Sequence, residues 1–267
     1  MTSSVRVAVG QVAVPADHVA AREQAVGTIA SAAERSVDLL VLPEYASGFD
    51  PRGVGAEHAE PLDGAFVTAV RAAAADARVA VVAGVTLPGT HPDRAVNAVV
   101  AVDRTGDLVG VYRKVHLYDA FGQRESDRLE PGAADAPPLV LDVGGLRFGV
   151  MTCYDLRFPE SARRLVDAGS HVLVVPAAWA VGPGKAEQWR ALAVARAIEN
   201  TSAVVAVGQV GRGVTGRSVV VGPDGTALLE LGTDPALATV ELDPATVAAV
   251  RERNPSLENR RYVVVPR

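Results

Sequence analysis

The sequence contains a single cysteine, Cys153, and that scarcity excludes two kinds of architecture. One thiol cannot close an internal disulfide, and it cannot build a zinc site of thiolates. The five histidines are scattered without paired spacing, so no metal site is read from them either. Positive charge is not in excess: the formal net charge is -5, which argues against nucleic acid as the main partner. The arginine-dense stretch from Arg251 to Arg267 is short and interleaved with Glu252 and Glu258. It reads as a solvated or subunit-contacting tail rather than a nucleic-acid patch. No uninterrupted apolar run approaches the roughly 18 residues of a membrane span. The opening MTSSVRVAVGQVAVP has no basic n-region, and its apolar run is too short for a secretory signal, so the cytoplasm is the expected compartment.

Nucleotide-binding loops are missing as well. Around Gly182–Pro183–Gly184–Lys185, Trp179 stands where a phosphate loop needs its first glycine, and Ala186 replaces the required Ser or Thr. Gly208, Gly211 and Gly213 lack the dinucleotide-binding order, so no cofactor is expected.

What is present suits an α/β protein. The 267 residues are 49% hydrophobic and 21% charged, enough for one large domain or two small ones with a full core. Short β-branched runs alternate with alanine-rich amphipathic stretches. Strands are expected at 5–12, 37–42, 79–86, 95–102, 110–113, 146–151, 172–175, 203–207, 218–221 and 237–242. Helices are expected at 19–35, 65–77, 159–168, 186–199 and 245–252. A weak internal repeat relates VRVAVGQV (from Val5) to LRFGVMTC (from Leu146), and DLLVLPEYA (from Asp38) to HVLVVPAAW (from His171). Two such halves stacked face to face would make one four-layer domain.

The repeat sets three residues at strand ends, where α/β folds place their crevices. Cys153 closes an apolar strand just before a helix, where amides would favour its thiolate; a buried core cysteine is the ordinary alternative. Glu44 follows the apolar Leu39–Pro43, and the desolvation expected there suits a general base. Lys114 follows Gly110–Arg113 and, taken alone, reads as a solvated edge-strand lysine.

Together, VLPEY, YRKVHLYD and CYDLRFPE resemble the nitrilase (carbon–nitrogen hydrolase) superfamily, whose signature is a Glu–Lys–Cys triad in that chain order. FGQRESDRLEPG, ARAIENT and RSVVVGPDG extend the resemblance, which runs from Val5 to Tyr262. It implies an α/β fold, a four-layer α-β-β-α sandwich of two stacked sheets forming one domain over 1–267. It implies Glu44, Lys114 and Cys153 as catalytic residues, with Glu125 as a second glutamate orienting the lysine and substrate. Tyr154, Arg157, Trp179 and Tyr45 are the candidate substrate-binding residues. Arg157 is expected to meet a substrate carboxylate or to pair with Glu160 or Asp155. The CYD tripeptide is closer to amidases than to true nitrilases, so a small amide is the expected substrate. N-carbamoyl amino-acid hydrolase, nitrilase, acyltransferase and catalytically silent scaffold are the alternatives. The resemblance also implies a homodimer, with the helix at 186–199 and the tail at 251–267 as subunit contacts. One departure concerns the pocket: many amidase-branch relatives carry a histidine before Trp189, where this chain has Gln188.

Overall fold

In β1 (Val5–Gln11), Val5, Val7 and Val9 pack on one side and Ala8 on the other, and all four are buried. A strand buried on both faces needs a layer against each, and the rest of the chain supplies them. The structure is a computed structural model that describes residues 4–266. Its first half runs β1, α1 (His18–Ala33), β2 (Leu39–Val41), α2 (Ala65–Ala77), β3 (Ala80–Pro88), β4 (Ala95–Val102) and β5 (Leu108–Arg113). The second runs β6 (Val140–Val143), β7 (Leu146–Val150), α3 (Pro159–Asp167), β8 (Val172–Ala177), α4 (Lys185–Asn200), β9 (Ala203–Gly208), β10 (Val219–Val221) and β11 (Ala227–Glu230). The elements β12 (Ala236–Leu242) and α5 (Pro244–Arg253) follow.

The internal similarity is reproduced in the topology. One sheet has the order β12-β1-β2-β3-β4-β5, the other β11-β10-β9-β8-β7-β6. The three-strand parallel core β1-β2-β3 is answered by β7-β8-β9, and in each half the next two strands return antiparallel. Val7 lies opposite Leu39 in the first sheet, as Phe148 lies opposite Val172 in the second. Between the sheets, Val7, Val9, Leu39 and Val82 meet Phe148, Val150, Val174 and Val205 in one apolar layer. The outer face of the first sheet packs on α1 and α2 through Ile29, Phe66 and Val70. The outer face of the second packs on α3 and α4 through Leu165, Trp189 and Ala193. The result is the expected α-β-β-α sandwich in a single domain.

Two strands lie outside the expected set, β6 and β11. They are the two edges of the second sheet, and β11 alternates half-buried with exposed residues, so neither presents a continuous apolar run. Among the described residues no helix is long and apolar enough to cross a membrane.

Candidate active site

The strand β2 ends at Val41, yet the chain stays clamped to β3, with Leu42 N–H donating to Val82 O at 2.8 Å. Pro43 then cannot donate to a ladder, and the next residue, Glu44, turns into the interior. Its carboxylate is only 1% exposed. Oε1 accepts from Asn97 Nδ2 at 2.7 Å and from Lys114 Nζ at 2.9 Å, and Oε2 accepts from Ala178 N–H at 2.7 Å. The last of these donors belongs to the second half of the chain, just beyond β8.

Lys114 leaves β5 while still bound to β4, its N–H donating to Asn97 O at 2.9 Å. Its ammonium is buried and bridges Glu44 to Glu125, 2.9 Å from each carboxylate. Glu125 opens a short 3-10 turn and is itself held by Tyr45 Oη at 2.5 Å and Tyr118 N–H at 2.7 Å. Lys114 is therefore no solvated edge lysine. Burial alone would pull its ammonium down, but Glu125 and Glu44 outweigh burial and hold it well above the usual lysine range. Burial likewise pushes the Glu125 carboxyl up, and Lys114 with the hydrogen bonds from Tyr45 and Tyr118 N–H brings it below the usual range.

Cys153 follows β7 and begins the 3-10 turn Cys153–Arg157. Its φ is +46°, a left-handed conformation uncommon outside glycine, which turns the chain sharply out of the strand. The turn is bolted down at Asp155, which is fully buried. Asp155 accepts from Thr152 N–H at 3.0 Å, Tyr112 Oη at 2.7 Å and His116 N–H at 3.2 Å. His116 Nδ1 also lies 2.8 Å from Asp155 Oδ1, and its ring stacks on Phe158 at 3.7 Å. One carboxylate thus ties the segment leaving Lys114 to the turn carrying Cys153. The expectation that helix amides would favour the thiolate meets a different local geometry, since Cys153 opens a 3-10 turn and α3 begins only at Pro159. Burial and the neighbouring Glu44 carboxylate push the thiol well above its usual range, and Lys114 only partly opposes them.

Glu44, Lys114, Cys153 and Glu125 line one cavity of about 380 Å³, together with Tyr45, Tyr154 and Trp179. Arg157 is the exception. It does not line the cavity and pairs with neither Glu160 nor Asp155. Its Nη2 donates to Gln188 Oε1 at 2.7 Å, and its guanidinium lies 4.9 Å from the Trp179 ring. The histidine-to-glutamine departure at Gln188 thus supplies a neutral acceptor for an arginine. Three contributors were missed in the sequence: Asn97, Tyr118 and Lys185. A lone amide inside the apolar run Ala95–Val102 was a readable signal for Asn97. Tyr118 and Lys185 sit in loops or at a helix start, where no periodicity marks an inward side chain. Among the described residues no three His, Cys, Asp or Glu side chains converge as metal ligands would.

A profile of the carbon-nitrogen hydrolase family matches residues 6–252. The chain is 38% identical over 258 residues to a deaminated glutathione amidase of Escherichia coli O157:H7, covering 96% of this chain and 97% of that one. Among solved structures, a glutamate-to-glutamine variant of the amidase from Nesterenkonia sp. AN1 superposes with a TM-score of 0.78 at 30% identity, covering 97% of both chains. That structure is described as showing covalent addition of the acetamide moiety of fluoroacetamide at the active-site cysteine. A carbon-nitrogen hydrolase from Helicobacter pylori G27 shares the fold with a TM-score of 0.87 at 22% identity, over 97% of this chain and 96% of the other.

Proposed function

The chain belongs to the carbon-nitrogen hydrolase family, and from that premise we propose that it is a cysteine-dependent amidase acting on a small, carboxylate-bearing amide. The observation that carries this reading is the burial of Glu44, Lys114 and Cys153 in one cavity, with Lys114 held between two carboxylates. Because the resting thiol is pushed up, it needs a base at the moment of attack, and Glu44 is the carboxylate beside it.

In this mechanism Glu44 takes the Sγ proton as the sulfur attacks the amide carbonyl carbon. Charge developing on the carbonyl oxygen is met by the Lys114 ammonium and the Tyr154 N–H, each worth about 3 kcal/mol in a preorganised site. The tetrahedral adduct expels the amine as the C–N bond breaks, and Glu44 returns its proton to make ammonia. Water then gives a proton to Glu44 and adds to the thioester carbon. Collapse releases the acid, and Glu44 reprotonates the departing sulfur. Glu125 touches no reacting atom in this scheme; it fixes the Lys114 ammonium. Nitriles should be poor substrates, since a thioimidate needs further proton deliveries.

Ammonia release from a panel of small amides, N-carbamoyl amino acids and nitriles tests the reading. Amides should lead, and Cys153→Ala should lose turnover by on the order of a thousandfold or more. Iodoacetamide should inactivate the parent protein by labelling this one thiol. A Cys153→Ala protein that keeps substantial turnover would remove the mechanism, and nitriles outpacing their amides would change the reaction class.

A further inference from the structure

Five basic side chains line the cavity: Arg52, Lys114, Arg124, Arg128 and Lys185. Four of them are matched by acids. Arg52 pairs with Asp50, Arg124 with Asp127, Arg128 with Glu57, and Lys114 with Glu44 and Glu125. Lys185 is different: among the described residues no carboxylate lies within 4.0 Å of its ammonium, although the residue is only 4% exposed.

What surrounds Lys185 is aromatic and cationic. Its Nζ donates to Tyr118 Oη at 2.8 Å and sits 3.8 Å from the Phe121 ring centroid and 5.5 Å from that of Trp179. Arg157, also without an acid partner among the described residues, lies against the same Trp179 ring, and its buried Nε has no hydrogen-bond partner. Burial and Arg157 together hold the Lys185 ammonium below the usual lysine range. Aromatic faces compensate a buried cation only in part. An ammonium carries three donors, and Tyr118 takes one. Around Lys114 in the same cavity the balance is reversed, with Glu44 and Glu125 facing a single cation. An anionic group entering this cavity is repelled by Glu44 and Glu125 and attracted to Lys185, whose charge no acid matches among the described residues.

We propose that Lys185, backed by Arg157, is the subsite for the substrate's carboxylate, so that it, rather than the triad, selects half-amides of dicarboxylic acids over neutral amides. The proposal rests on the amidase reading of the site, but its test does not require turnover. In a Cys153→Ala background, calorimetry would compare malonamic, succinamic and glutaramic acids, each against its own methyl ester. At least one acid should bind about tenfold or more tightly than its ester, the size expected of a charge-assisted hydrogen bond. Adding Lys185→Met should bring that ratio close to one, whereas Lys185→Arg should restore most of it. Should Lys185→Met fail to fold, Lys185→Gln retains a polar head for Tyr118 and is measured in the same way. No preference for any acid over its ester, or a preference that survives loss of Lys185, would overturn the proposal. Failure of the amidase reading appears separately, as absence of ammonia release from protein with Cys153 intact.

Discussion

At the scale of single residues, the Cys153 thiol and the Glu44 carboxylate oppose each other in the resting protein. Burial and then Glu44 raise the thiol, so in the proposed mechanism the proton stays on sulfur until Glu44 takes it during attack on the substrate. The sign of that coupling is open to measurement. Glu44→Gln removes a negative charge from beside the sulfur, so the pH at which the thiol ionises should fall. Turnover should fall too, by on the order of a hundredfold to ten-thousandfold, because the base is gone. The pH profile of iodoacetamide labelling reads the first effect and ammonia release the second. A profile that stays put or moves to higher pH in Glu44→Gln would contradict the coupling. The residues at strand ends were readable from the sequence because an apolar run that stops at a charged residue is a local pattern. The thiol's ionisation was not, because it depends on Glu44, which is remote in sequence. Nor was the placement of Arg157, which depends on Gln188 and Trp179 from elements elsewhere in the chain.

At the scale of elements, β3 holds the Glu44 loop by contact with bare backbone. A Cβ on Gly84 would lie 2.5 Å from Glu44 Cα, 2.5 Å from Tyr45 N and 2.7 Å from Pro43 O. None of these is the end of a flexible side chain, so the loop or the strand must shift. We expect Gly84→Ala to cost about 1–3 kcal/mol in urea unfolding. It should also lower kcat/KM about a hundredfold, although the new methyl reaches no substrate. Unchanged kinetics would mean that the loop's position is set elsewhere. Central strands such as β3 and β4 were plain in the sequence because both of their faces are buried. The edge strands β6 and β11 were not, since half of each faces outward. Their hairpin turns were nonetheless readable: Gly144–Gly145, both with positive φ, joins β6 to β7, and Pro223–Asp224–Gly225 lies between β10 and β11.

For the whole molecule, the apolar end of the chain raises the question of assembly. Tyr262, Val263 and Val265 are 90%, 83% and 73% exposed, a run of apolar side chains with little of this chain against them. We propose that a second copy covers this tail, as an isologous dimer would. Light scattering at micromolar concentration should give about twice the 27.6 kDa of one chain. Val263→Asp with Val265→Asp should shift the population toward monomer. A parent protein that already runs as a monomer would dismiss the dimer.

The strand β12 follows both sheet-and-helix halves in the chain, yet it completes the sheet of the first, pairing with β1 from Val5 opposite Leu242 to Gln11 opposite Ala236. A ribosome therefore makes both sheet-and-helix halves before β1 acquires its outer neighbour. Until then β1 is an open edge, able to pair with any passing strand. Glu44 and Cys153, made far apart in time, share a cavity only once both halves are stacked. A nascent chain thus carries its thiol for some while without the carboxylate that restrains it, and late synthesis closes the open edge.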